Sequence, residues 1–210
     1  VGADGRDSWV REAAGLTSIT TPYGENGVVA NFSAEKPHNN TAFQWFRDDG
    51  VLAYLPLPDN RISIVWATPD ANADELCSLA SGALCHRVAE AGDFALGQLE
   101  LITAPAAFPL RLIRVPQTVA PRLALVGDAA HGIHPLSGHG INLGFQDAMA
   151  LASQLGATKP WHDIGQLSFL QRYQRARREE TFLMQTTTDT LRRLFRASSP
   201  GLRSMRNLGL

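Results

Sequence analysis

Gly127 and Asp128 close a short apolar run, "LALV", and the stretch that follows holds His131, His134, Pro135, Gly138, His139 and Gly140. A strand ending in Gly-Asp puts a carboxylate at the carboxyl edge of a sheet, where the ligands of α/β proteins gather. A carboxylate there accepts hydrogen bonds from sugar-type hydroxyls. Gly138 and Gly140 stand just before a helix expected from Ile141, and glycines let a ligand approach the backbone closely. The unpaired N–H groups and positive dipole end of such a helix stabilise negative charge on a ligand. Pro135 stiffens the approach. An ordinary strand–loop–helix crossover, with glycines that only close the turn, accounts for the same residues equally well.

A second turn of this kind opens the chain. "VGADGRDSWVR" reads as a strand end, then Asp4 and Gly5, then Arg6, Ser8 and Arg11. It sets Asp4 beside backbone N–H groups and cations, which suits a pyrophosphate or ribose contact. A charged surface turn is the competing reading. Asp128, His131, His134 and His139 also invite a metal. Their spacing fits no common helical or finger pattern and no cysteine is close by, so no metal is expected. The rings are read as packing or hydrogen-bonding groups.

Around these turns the sequence alternates strands and helices. Residues 28–32 read as a short strand. "TAFQWFR", "VLAYLPLP" and "RISIVWAT" follow, rich in β-branched and aromatic residues and separated by short turns, which predicts an antiparallel meander. Ile62, Ile64 and Trp66 give its last strand one apolar face. Apolar spacing predicts a single helix over 73–91, ended by Gly92. Residues 99–114 are expected to be extended, with Pro105 and Pro109 suiting an edge. Residues 123–126 read as a buried strand. Residues 141–155 read as a helix with Ile141, Phe145, Ala148, Ala152 and Leu155 along its packed side. A long helical segment is expected from near Ile164 to before Pro200.

With 210 residues, 44% of them apolar, the chain can bury a core. A formal net charge of −1 shows no bias toward nucleic acid. No apolar run is long enough to span a bilayer. Cys77 and Cys85 are too far apart along one helix to bridge, and are expected as buried free thiols of a reducing compartment. The C-terminal stretch is basic: Arg172, Arg175, Arg177, Arg178, Arg192, Arg193, Arg196, Arg203 and Arg206 face only Glu179, Glu180 and Asp189. Leucines and Phe195 are interleaved among them. Such a helix can lie on an anionic membrane, dock on a partner or copy of the chain, or present a solvated face. The first residue is valine and the chain starts as if inside a turn, so a piece of a longer protein is expected.

Together the two turns resemble the motifs of single-component FAD-dependent aromatic hydroxylases, the para-hydroxybenzoate hydroxylase class. "VGADGRDSWVR" is similar to its Asp-Gly motif, and "LALVGDAAHGIHPLSGHGINLGFQDAMALA" to its second FAD motif. "FPLRLIRVPQTVAPRLALVGDAAH", "FLQRYQRARREE" and "MRNLGL" resemble the subgroup that hydroxylates ubiquinone precursors. The resemblance implies a mixed α+β and α/β fold: an antiparallel substrate-domain sheet with helices, a partial FAD-binding α/β portion and a C-terminal helical tail. It divides the chain into an Asp-Gly segment (1–22), a substrate-binding sheet (23–118), the second FAD motif with its helix (119–160) and C-terminal helices (161–210).

The same resemblance implies roles. Asp128, after Gly127, would hold the ribityl chain of FAD. The backbone of Pro135, Leu136, Ser137, Gly138, Gly140, Ile141 and Asn142 would lie beside the isoalloxazine ring. Asp4, Gly5 and Arg6 would contact FAD and bear on NAD(P)H use. His139 departs from the glutamine usual in the subgroup, which puts any side-chain contact there in question. Phe43, Trp45, Tyr54 and Trp66 could wall a substrate pocket, although core packing explains them as well. The implied activity is FAD- and NAD(P)H-dependent hydroxylation of an aromatic ring by molecular oxygen, on a polyprenylated phenol of ubiquinone biosynthesis. A hydroxylase of a soluble aromatic and a non-catalytic binding or assembly module are the competing readings. The setting is cytoplasmic, or peripheral to the inner membrane. The class's Gly-x-Gly-x-x-Gly fingerprint is absent from the sequence, so this stretch alone is expected to bind FAD weakly or not at all and to be inactive.

Overall fold

The structure, a computed structural model, describes residues 1–135 and 138–196. Leu136 and Ser137, and the tail's Arg203 and Arg206, lie outside the described residues. The chain is a mixed α+β protein with two compact units, one formed by residues 1–21 and 111–194, the other mainly by residues 22–110.

In the second unit, β1 (Ile19–Ala34), β2 (Phe43–Arg47), β3 (Gly50–Leu57) and β4 (Arg61–Pro69) form an antiparallel sheet in the order β2-β3-β4-β1, with β5 (Leu99–Leu101) also paired to β1. The expected meander is therefore present, and β1 is far longer than the five residues predicted. Alternation in β4 puts Ile62, Ile64 and Trp66 in the core at 1% exposure or less. They meet Leu52, Tyr54 and Phe32 from the neighbouring strands, and Leu84 and Val88 from a helix. Tyr54 is sealed in place by its hydroxyl, which donates to the Val88 carbonyl at 2.6 Å.

The helix predicted over 73–91 is two helices, α2 (Asp70–Ser78) and α3 (Ser81–Ala91). Leu79 and Ala80 between them are extended, with ψ of 143° and 148°. Ser78, Ser81 and Gly82 gather at the break, and their weak helix propensity lets the chain turn there. Each half then inserts its own leucines, Leu76 and Leu84, into the core. Cys77 is exposed on α2, against the expectation of two buried thiols, and Cys85 is half-buried on α3. Both are free.

The first unit carries α1 (Trp9–Ala13), the end of β6 (Ala106–Arg114), the hairpin β7 (Val119–Ala120) and β8 (Leu123–Ala124), a single 3-10 turn at Gly127–Ala129, β9 (His131–Gly132), α4 (Gly140–Gly156) and α5 (Leu167–Arg196). The strand expected at 123–126 is only two residues of ladder, followed by a parallel bridge from Leu125 to Gly2. Its extent is limited by its partners, since β7 offers two residues and the opening turn offers one. A core of Val119, Ala124, Leu151, Leu170 and Tyr173 joins the hairpin to α4 and α5.

The packed face of α4 is not the one predicted. Leu143, Asp147 and Leu151 are buried, whereas Ile141, Phe145 and Met149 are 61–69% exposed. The helix is apolar on more than one side, so hydrophobic spacing cannot choose between faces. The hydrogen bonds of Asp147 fix the face that is buried. The long C-terminal helix starts at Leu167, three residues later than expected. Its arginines are partly spent on ion pairs: Arg177 with Asp147 and Glu180, and Arg193 with Asp189. Among the described residues, no helix is long and apolar enough to cross a membrane.

Candidate cofactor cleft

The two Gly-Asp turns, far apart in sequence, are laced together. The Gly2 amide donates to the Ala124 carbonyl and the Val126 amide to the Gly2 carbonyl, both at 2.9 Å. Arg11 is buried, and its guanidinium donates to the carbonyls of Ala129 (3.1 Å) and Arg6 (2.9 Å). A buried guanidinium that finds carbonyl acceptors works as a staple, because it carries several donors in a fixed fork. Arg6 in turn reaches Asp128, with Nε 3.1 Å from Oδ2.

Asp4 serves α1. Its carboxylate accepts from Ser8 Oγ at 2.5 Å and from the Val10 amide at 3.0 Å, and Ser8 caps the helix by accepting from the Arg11 amide. The Ser8 hydrogen bond, then that of Val10, holds the Asp4 carboxyl below the usual carboxylate range.

These contacts leave a cleft of about 630 Å³, within the about 300–1,000 Å³ typical of small-molecule and cofactor sites. Gly5, Arg6, Gly127, Asp128, Pro135, Gly138, Gly140 and Ile141 all line it, so the structure brings most of the sequence-selected residues to one space. Ala3, Val126, Ile133, Gly144 and Phe145 complete the lining. Asn142 is exposed on α4 and is not among the lining residues. Asp128 is partly open to the cleft, its side chain 40% exposed.

The mouth of α4 opens here. His139 occupies the N-cap position, and its side chain does not accept a capping hydrogen bond from the first turn. The first-turn N–H groups of a helix have no partner within the helix, and those of α4 start at Gly140 and Ile141, which line the cleft. Gly127, at φ +61°, lies so close to α4 that a Cβ on Gly144 would come within 3.3 Å of its Cα. Gly127→Ala is expected to destabilise the protein by about 1–2 kcal/mol through left-handed strain. A urea midpoint lowered at constant slope would bear this out, and an unchanged midpoint would refute it.

Behind the turn sits a group that sequence reading did not single out. Asp147 is fully buried and accepts from the Gly127 amide (2.9 Å), His131 Nε2 (2.6 Å) and Arg177 Nε (2.8 Å). Burial alone would raise its carboxyl, but the bond and charge of His131, with Arg177 and Gly127, outweigh that and hold it below the ordinary range. The signal was present in "NLGFQDAMAL": an aspartate midway between Leu143 and Leu151, four residues from each, belongs to their stripe. His131 and His134 are buried and His139 exposed. Phe43, Trp45, Tyr54 and Trp66 sit in the second unit, where Tyr54 and Trp66 are core and Phe43 and Trp45 pack partly buried against them. Trp45 meets Tyr54 edge-on at 4.7 Å.

A cleft with a partly open carboxylate on one side and a helix amino end on the other is the kind of place a nucleotide cofactor can occupy. Its donors fit a flavin nucleotide, because hydroxyls, phosphates and an anionic ring edge each find a partner type there. The chain belongs to the FAD binding domain family, whose profile matches residues 1–187. It is 37% identical over 211 residues to 3-demethoxyubiquinol 3-hydroxylase of Escherichia coli (strain K12), spanning 100% of this chain and 54% of that protein. It is 34% identical over 245 residues to ubiquinone biosynthesis monooxygenase COQ6, mitochondrial, of Homo sapiens, spanning 100% of this chain and 52% of that one. The chain thus spans about half the length of the curated relatives it matches. Among solved structures, PqsL of Pseudomonas aeruginosa in complex with 2-aminobenzoylacetate has a similar fold, with a TM-score of 0.78 and 23% identity over 93% of this chain and 55% of that one.

Proposed function

We propose that the full-length protein is an FAD- and NAD(P)H-dependent monooxygenase that hydroxylates the ring of a polyprenylated phenol in ubiquinone biosynthesis. The observation that carries this reading is the cleft in which Asp128, Arg6 and the mouth of α4 face one space. The relatives named for ubiquinone hydroxylation support the substrate class.

When bound, FAD supplies hydride acceptance and the activation of oxygen. Asp128 accepts hydrogen bonds from the ribityl hydroxyls. Arg6 and the backbone at Gly5 meet the phosphate side. The amides at the start of α4 would hold a negatively charged edge of the bound ring, since preorganised donors of this kind need no rearrangement to meet charge. Gly138 and Gly140, with no Cβ, would leave the backbone there accessible to the bound ring. Ile133, Pro135 and Phe145 keep water away. In the second unit, Phe43 and Trp45 are the candidate pocket residues left available to a substrate, since Tyr54 and Trp66 are taken up in packing.

Contact with an anionic membrane surface is part of the proposal. Phe182 and Leu183 are exposed on α5 beside Arg175 and Arg178, an arrangement suited to a lipophilic substrate drawn from a bilayer.

The test is the full-length protein, with FAD, NADH or NADPH, and a short-chain prenylated phenol under ¹⁸O₂. A product carrying one labelled oxygen in a new ring hydroxyl is expected. Hydroxylation of simple phenols alone would move the reading to a soluble aromatic substrate, and failure to retain flavin would end it.

A further inference from the structure

The first unit has a second cleft, of about 250 Å³, lined by the end of β6 and by α5. It shares no lining residue with the cleft of Asp128. We infer that it is an accessory binding site for a compact organic anion, a carboxylate on a small apolar or aromatic body.

The charge around this cleft is one-sided. Arg114, Arg177 and Arg178 line it, against a single carboxylate, Asp147. That carboxylate is already taken up by Arg177, His131 and the Gly127 amide. Arg177 is occupied in turn by Asp147 and Glu180. Neither Arg114 nor Arg178 has an ion-pair partner among the described residues. Gln174 adds to the imbalance. Its carbonyl oxygen accepts from the Thr118 amide at 3.0 Å, so what it can offer a ligand is its N–H₂. Gln185, whose N–H₂ is taken up by the carbonyls of Ile113 and Gly132, leaves a carbonyl oxygen, but the charged groups left to an occupant among the described lining residues are the guanidiniums of Arg114 and Arg178, so charge selects an acceptor bearing negative charge. Guanidinium forks match the planar geometry of a carboxylate. The apolar wall comes from Val115, Pro116 and Phe182, the last 62% exposed. The volume falls below the about 300–1,000 Å³ of drug-sized sites, which limits the body to a compact one.

The probe is 4-bromobenzoate, titrated by calorimetry into the full-length protein at low ionic strength. Saturable binding is expected, at least tenfold weaker in Arg114→Ala/Arg178→Ala and intermediate in the double lysine variant, which keeps the charge but loses the fork. Asp128→Ala is expected to bind the probe like the wild type. Flavin retention and an unchanged unfolding midpoint show that the arginine variants are folded. In crystals, the bromine's anomalous signal is expected against Val115, Pro116 and Phe182. Equal affinity in the double alanine variant, unsaturable binding, or a bromine signal elsewhere only would overturn the assignment.

Discussion

Replacing Asp128 by alanine is expected to weaken flavin binding by the full-length protein about 10- to 100-fold, with little change in stability. A hydrogen bond to a charged group contributes about 1.5–3 kcal/mol, and each 1.4 kcal/mol is roughly a decade in affinity. Asp128 is positioned for that bond: it lines the cleft, it is 40% exposed, and Arg6 keeps it beside the opening turn. The pair with Arg6 is itself well solvated and adds little to folding, as surface pairs do. The effect should therefore appear in the flavin dissociation constant, read by fluorescence quenching, while the unfolding midpoint stays nearly constant. Asp128→Asn keeps an acceptor and should lose less. An unaltered dissociation constant in the alanine variant would remove Asp128 from the cofactor site.

Removing Asp147 should act in the opposite way, on folding first. Asp147→Ala leaves the Nε of Arg177, whose side chain is only 11% exposed, the buried His131 ring and the Gly127 amide without their acceptor. Breaking a buried ion pair from one side costs about 3–5 kcal/mol. For a protein of this size each kcal/mol lowers Tm by about 2–4 °C, so a drop on the order of 6–20 °C is expected by scanning calorimetry. Replacing both partners, Asp147→Leu with Arg177→Met, should recover part of the loss, because the guanidinium is then no longer left beside an empty acceptor position, although His131 and the Gly127 amide still lose theirs.

The pH dependence follows from the same group. Its carboxyl lies below the ordinary value of 3.8 in the folded protein. Its contribution is therefore fully present above about pH 4 and is lost as pH falls through the folded value. Wild-type stability should decline in that acid window more steeply than that of Asp147→Ala. Parallel curves for the two proteins would contradict the role assigned to the carboxylate.

Much of this arrangement could be read from residue types and spacing. Alternation in "RISIVWAT" identified the buried face of β4, and the glycines before Ile141 marked the mouth of α4 within one residue. Features settled by partners could not be read this way. The run at 123–126 has strand composition, but how far it pairs depends on Gly2 and on the two residues of β7. The apolar spacing of Ile141 and Phe145 pointed to the wrong side of α4, because the winning side is anchored by a carboxylate. Asp147 breaks the rule that core stripes are apolar, and only the arrival of His131 and Arg177 makes its burial affordable. The interruption between α2 and α3 was foreshadowed by Ser78, Ser81 and Gly82, but leucines on both sides kept the helical period intact across it.

The Arg11 staple also bears on how the chain assembles. Arg11 and Ala129 are 118 positions apart. At about 5–20 residues per second of synthesis, the acceptor follows its donor out of the ribosome by roughly 6–24 s. The amino-terminal turn must wait through that interval with its guanidinium hydrated. The meander, whose pairings are local, can form during the wait. The cleft then takes shape after the meander, and a nascent chain cut short before Ala129 would carry the meander complete and the cleft without its wall from Ile133 onward.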